Sequence, residues 1–358
     1  MKRLAVLLVV LAAGCAAPPA QMPAGDARAL IASYIPASVP DREGWAADIY
    51  TPMAVLGIPV TARNVCAIVA VTEQESGFHA DPAVDNLASI ARAEMERRRE
   101  RLGIPRLVLD AALAVKSTNG KTYGERLAHV RTERELSDIY EDFIGRVPFG
   151  RTFLENANPV RTGGPMQVSV AFAREQSDEK RYPYAVVESI RDEVFTRRGG
   201  MYFGIAHLLD YDAPYDRDIY RFADFNAGRY ASRNAAFQSA LASLADRRLA
   251  LDGDPVPGGA TEAAARAIAG ELGLEPSAIH RDLGRENGPD FEATALYRAV
   301  FVKADARAGK RVPRAIVPTI ELHTPKTRRR LTTRWFAERV AARQARCLQS
   351  GASRSSRM

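Results

Sequence analysis

Apolar residues along the chain recur mostly at helical spacing, and strand-like alternation is sparse. The run "TARNVCAIVAVTEQESGF" (61–78) sets Val65, Ile68, Val69 and Thr72 at i, i+3, i+4 and i+7, with Thr61 as N-cap and Gly77 as stop. This spacing predicts a helix whose last turn carries Glu75. Residues 84–146 are helical in pattern and highly charged. In "ARAEMERRRERLG" Glu and Arg alternate, which predicts a solvated face laced by i, i+4 pairs and not a nucleic-acid patch. Further helices are expected over 183–197, 200–211, 217–225 and 231–249. The break "LDGDPVPGGAT" (251–261) marks a boundary. Beyond it come an amphipathic helix in "TEAAARAIAGELGL" and short β-branched runs in "RVPRAIVPTIELHTP". A basic helix follows in "LTTRWFAERVAARQARCL", capped by Thr332 or Thr333, with Trp335, Val340 and Leu348 apolar. The fold class predicted is mainly α.

The 358 residues, 46% hydrophobic, suffice for two modest domains or one with a large insertion. The net charge of +7 is uneven: 19 Lys and Arg face 10 Asp and Glu from Pro255 onward, against 31 and 33 before it. All the basicity therefore sits in the last third and suggests an anionic partner.

Lys2 and Arg3, an apolar run over 4–13 and "LAAGC" at 11–15 have the build of an export signal too short to span a bilayer. "LAAGC" resembles the lipobox of bacterial lipoproteins, which implies cleavage before Cys15 and acylation of that cysteine. The Pro- and Ala-rich 16–26 stretch reads as a spacer. Export removes nucleic acid as a partner. By resemblance to enteric lipoproteins, Ala16 after the cysteine implies an outer-membrane, periplasm-facing location. Of the remaining cysteines, Cys66 is expected as a buried free thiol, with a Cys66–Cys347 bridge as the alternative.

Three strings occur in order: "ESGF" (75–78), "GGPMQVS" (163–169) and "FNAGRY" (225–230), with "GGMYFGIAHLLDYD" (199–212) between the last two. Together they resemble the soluble lytic murein transglycosylases, whose motifs run Glu-Ser-Gly-Phe, Gly-Leu-Met-Gln-Val and Ala-Tyr-Asn-Ala-Gly. The resemblance covers about residues 45–250. It implies a lysozyme-like domain that cleaves MurNAc–GlcNAc bonds of peptidoglycan with Glu75 as sole acid/base. The acid protonates the leaving oxygen and then, as base, deprotonates the muramyl C6 hydroxyl, giving a 1,6-anhydromuramyl end. Independently of the family, a carboxyl at a helix C-terminus in apolar surroundings is disfavoured as an anion, as a general acid requires.

By analogy Ser76 orients Glu75 or bonds the sugar, Met166 and Gln167 line the groove, and Asn226 contacts the glycan. Core packing is an equal reading for Met166. The family's Leu is Pro165 here and its Tyr is Phe225. Tyr202, Tyr230 or Tyr220 is expected to supply the missing hydroxyl. Between Ser76 and Gly164 lie 87 residues, an insertion that either walls the groove or fills it. The domain organisation expected is a signal and lipobox (1–15), a spacer and lead-in segment (16–44), the transglycosylase domain (45–250, insertion about 79–160) and a basic α or α+β accessory region (255–350). The five histidines, at 79, 129, 207, 280 and 323, form no metal motif, and no cofactor is expected. The competing functions are a silent peptidoglycan-binding lipoprotein on the same fold and a hydrolytic muramidase.

Overall fold

The computed structural model describes residues 22–322 and 331–355. The expected signal, Cys15, His323 and the "KTRRR" run at 326–330 lie outside the described residues. The molecule is mainly helical. In order the chain forms α1 (Ala24–Tyr34), α2 (Arg42–Val55), α3 (Ala62–Glu75), α4 (Leu87–Arg101), α5 (Arg106–Ala114), α6 (Tyr123–Ala128), α7 (Glu133–Arg146) and α8 (Gly150–Leu154). A small antiparallel hairpin, β1 (Thr162–Gly163) and β2 (Val168–Ser169), precedes α9 (Val170–Glu179), α10 (Ile190–Val194), α11 (Arg197–Leu209), α12 (Asp218–Ala227) and α13 (Ala231–Ala245). Then come α14 (Ala260–Ala267), α15 (Ala269–Leu272), α16 (Pro276–Leu283), α17 (Ala295–Ala308), the short β3 (Glu321–Leu322) and β4 (Leu331–Thr332), and α18 (Thr333–Ser355). The helix expected over 183–197 shrinks to α10, because Pro183 and the ring contacts of Tyr182 and Tyr184 hold the preceding residues outside a helix.

Helix α3 lies at the centre of the main core. Its cap is as expected, Thr61 accepting from the Asn64 amide, but every residue from Val65 to Thr72 is buried, not one face alone. The reason is α18, which returns antiparallel along α3. Arg339 meets Gln74 at 3.5 Å, Arg343 pairs with Glu73 at 3.3 Å, and Gln344 donates to the Arg63 carbonyl at 3.3 Å. Phe336, Ala337 and Val340 of α18 are buried with Val65, Ile68 and Val69. The C-terminal helix is thus part of the main core, which corrects the expectation of a separate basic region running to residue 350. Ile31 and Ile35 belong to the same core, so the lead-in segment is structural too.

Cys66 is bridged to Cys347, 281 residues away, with Cα atoms 5.6 Å apart. This replaces the expected free thiol: the antiparallel course of α18 brings the two side chains to one level, a pairing that spacing in sequence does not encode.

A second core gathers Phe237 and Leu241 of α13 with Ile279, Leu283, Phe291, Leu296 and Val300. Helix α13 therefore packs with the helices after the 251–261 break. The expected boundary is a reversal of the chain within one packed unit. The insertion has its own small core, Leu87, Tyr123, Leu127, Val130 and Ile139, and its helices α6 and α7 open with capping boxes at Thr122/Glu125 and Thr132/Glu135. The charge ladder of α4 is as expected: Glu94 pairs with Arg97 and Arg98, and Glu96 with Arg99. No described helix is long and apolar enough to cross a membrane.

Candidate active site

Helix α3 ends at Glu75, half-buried on its last turn. Ser76 closes the helix: its amide donates to the Thr72 and Glu73 carbonyls and its hydroxyl donates to Thr72 O at 3.1 Å. Gly77 and Phe78 both take left-handed backbone, at φ 60° and 65°. For phenylalanine this is strained by roughly 1 kcal/mol or more, and the fold holds it by setting the Phe78 ring edge-on against Trp45 at 5.2 Å. Glu73 faces Arg343 of α18. Two residues on is about 200° round a helix, so Glu75 leaves on a different side.

The second motif is the loop of the β1–β2 hairpin. The Gln167 amide donates to Gly164 O at 3.1 Å, and its side-chain amide donates to the same oxygen at 3.2 Å. Pro165 is the second residue of this turn, where its fixed φ fits and no amide is needed, so the departure from leucine is locally harmless. The loop is pressed onto α11. A Cβ at Gly204 would lie 2.5 Å from Met166 Cβ, and one at Gly164, where φ is +72°, would lie 2.1 Å from Val194 O. Met166 is wholly buried, in the same core as Phe78. It joins the first two motifs and lines no surface, so its packing reading holds.

The third motif ends α12. The Phe225 ring stacks at 6.4 Å on Phe336 of α18, packed against the core that holds Phe78 and Met166. Asn226 Oδ1 accepts from the Thr333 hydroxyl at 2.9 Å. Thr333 is fully buried, and it is Thr332 whose hydroxyl caps α18 by accepting from the Trp335 amide at 3.1 Å. Three strings far apart in sequence thus meet around one core near the C-terminal end of α3, and α18 contributes a fourth group to them.

Not every expected site residue joins them. Tyr202 is fully buried with Tyr182 and Phe203, its hydroxyl 3.4 Å from the Arg181 carbonyl. Tyr230 is 4% exposed, its ring beneath the Arg233 guanidinium and edge-on to Tyr211. Neither reaches a surface where a glycan could lie, so the expected hydroxyl substitution fails for both. A hollow of about 460 Å³, lined by Pro59, Asn64, Lys180, Asp210, Tyr211 and Arg221 among others, opens at the other end of α3. Glu75 lies eleven helical steps beyond Asn64, roughly 16 Å along the axis.

A family model described as a protein of unknown function (DUF1615) matches residues 38–350. The chain belongs to that family. A relative from Escherichia coli (strain K12), the uncharacterized protein YaiW, is 48% identical over 359 residues, covering 98% of this chain and 98% of its own length. No solved structure matches the chain.

In this DUF1615 member two further residues, not singled out from sequence, shape the corner that holds Asn226. Asp224 is fully buried and accepts four hydrogen bonds, from the Tyr211 and Tyr215 hydroxyls (3.1 and 2.7 Å) and the Tyr230 and Ser232 amides (3.1 and 2.6 Å). Burial raises its pKa, and the hydrogen bonds work against that rise. The signal in sequence was "YDAPYD" upstream of "ADFN", legible only once the two tyrosines were known to fold back. Asp224→Asn puts an NH₂ among donors and is expected to cost about 2 kcal/mol in urea unfolding. A cost below about 0.5 kcal/mol would mean that the corner does not depend on this carboxylate.

His207 is the second. Burial, then the Arg229 charge, holds its pKa down to about 4. Its Nε2 lies 3.2 Å from the Phe225 carbonyl, its ring packs between Phe172 and Phe225, and its Nδ1 has no hydrogen-bond partner among the described residues. A depressed histidine contributes stability above its unfolded pKa, near 6.5, which is lost as pH falls towards about 4. Glu286, buried by the second core beside Asn234, works in the opposite sense. Burial, then Asp254, pushes it up to about 7, so between its ordinary value of 4.5 and about 7 stability falls as pH rises. In the overlapping window the two effects offset each other. His207→Phe is expected to expose a stability that declines with rising pH, and Glu286→Gln one that climbs, each by at most about 1.4 kcal/mol per pH unit. Parallel pH profiles for both variants would refute the assignment.

Proposed function

We propose that the protein is a peptidoglycan lytic transglycosylase, built on a lysozyme-like helical domain and tethered to the envelope through acylated Cys15. The observation that carries this reading is the convergence of "ESGF", "GGPMQVS" and "FNAGRY" around one core, with Glu75 half-buried at the end of a helix whose residues 65–72 are all buried. Strained backbone adds to it. Of the seven described non-glycine residues with positive φ, Phe78 and Gln167 lie in the first two strings. Such strain persists where a fold over-determines it, and it clusters at functional sites.

In this reading Glu75 carries the proton both ways, and the half-buried Gln167 and Asn226 hold the glycan. A single acid suffices because the C6 hydroxyl is already part of the substrate, an intramolecular nucleophile that needs no second carboxylate. Ser76 acts through the helix end it caps, since its hydroxyl serves Thr72.

A second reading, a silent peptidoglycan-binding protein on the same scaffold, draws on the Asn226–Thr333 bond, which engages a groove residue within the chain. The deciding experiment is digestion of purified sacculi by the chain from Ala16 onward, with mass analysis of the released muropeptides. Anhydromuramyl ends support the transglycosylase, and reducing muramyl ends the muramidase. Binding to sacculi without release supports the silent protein.

A further inference from the structure

The corner joining α4 to α5 departs from the usual placement of apolar side chains. Residues 101–108, Arg-Leu-Gly-Ile-Pro-Arg-Leu-Val, are all exposed, with Leu102 at 71%, Leu107 at 79% and Val108 at 54%. Helix α5 reads RLVLDAALA and has no buried residue. An amphipathic surface helix ordinarily turns its apolar stripe to the core. A lone exposed leucine is ordinary, but four branched aliphatics on one corner form a patch that calls for a partner. Nor is the corner loose chain. The Leu102, Gly103 and Ile104 amides donate to the Arg98, Glu100 and Arg99 carbonyls, and Gly103 takes the left-handed turn.

The charge around it is predominantly basic. Residues 97–110 carry Arg97, Arg98, Arg99, Arg101 and Arg106 against Glu100 and Asp110. The first three are held by the carboxylates of α4, whereas Arg101 makes no ion pair among the described residues. Arg106 reaches Asp110 only at 3.7 Å, with its side chain 74% exposed.

We propose that this corner is a membrane-insertion tip, in which Leu102, Ile104, Leu107 and Val108 enter the headgroup–acyl boundary of an anionic leaflet while Arg101 and Arg106 meet lipid phosphates. Aliphatic side chains on a helical corner rimmed by cations complement a soft, negatively charged interface. The aromatic anchors that dominate protein–protein hot spots are absent from it. An acyl tether would keep the tip at high local concentration near lipid, so each contact need contribute little. The inference does not depend on Glu75 being catalytic, and its test involves no peptidoglycan.

The test is co-sedimentation of the unacylated chain from Ala16 onward with phosphatidylcholine vesicles, with and without phosphatidylglycerol. Binding is expected to favour the phosphatidylglycerol vesicles and to weaken in high salt. Leu102→Ser with Leu107→Ser should lower partitioning by roughly tenfold or more. Arg101→Gln with Arg106→Gln should remove the preference for phosphatidylglycerol. All four side chains are exposed, so unchanged circular dichroism is expected of both variants. Absence of binding by the parent, or binding that survives loss of both leucines, would overturn the proposal. So would a parent that ignores vesicles yet self-associates through the same leucines.

Discussion

Glu75→Gln is expected to lower the release of anhydromuramyl products from sacculi by about 10³-fold while leaving the folded protein as stable as its parent. The amide matches the carboxyl in size and keeps its hydrogen-bonding oxygen, so the half-buried end of α3 has no reason to repack. What it lacks is a proton to give to the leaving oxygen and a base to take one from the C6 hydroxyl. A 10³-fold loss corresponds to about 4 kcal/mol of transition-state stabilisation, the scale on which general acids act. Glu73→Gln is the matched control. It removes a partly exposed ion pair with Arg343, worth at most about 1 kcal/mol, and should leave product release unchanged. Equal loss in both variants would point to damage at the α3–α18 contact. No loss in the Glu75 variant, with an active parent, would remove this residue from the mechanism.

The second large effect concerns the bridge between Cys66 and Cys347. It closes a loop of 281 residues, most of the chain, so cross-linking removes a great deal of freedom from the unfolded ensemble. Loop-closure entropy alone amounts to about 6 kcal/mol for a loop of this length, and engineered and native bridges commonly deliver less. Cys66→Ala with Cys347→Ala is therefore expected to lower unfolding stability in urea by about 3–5 kcal/mol, and reductant should do the same to the parent but not to the variant. Because α18 buries Phe336 and Val340 beside α3 and holds Asn226 through Thr333, the variant should also loosen the site. Hydrogen exchange at the first turns of α18 should rise more than at α13. A stability change under about 1 kcal/mol would show that packing alone secures α18.

The helix around 61–77, its cap and its stop follow from local rules: a β-region threonine that accepts an amide, an apolar repeat, and a glycine free to turn left-handed. The alternation of Glu and Arg on α4 is similarly short-range and legible. The three motif strings could be read as candidates because residue types at close spacing keep their meaning wherever they fold. Long-range placement had no such signal. Nothing local distinguishes an α18 that forms its own region from one that lies antiparallel on α3. Amphipathic helices find partners by burying area, a non-directional preference that many arrangements satisfy in part. Tertiary structure alone joined Cys66 to Cys347, sank Met166, Tyr202 and Tyr230 into the interior, brought Thr333 to Asn226 and left the α4–α5 corner uncovered. Sequence by itself determined the helical class and the residue types offered by the three strings. Which of them lie together, and which are buried out of reach, was decided by how the helices share apolar surface across the whole chain.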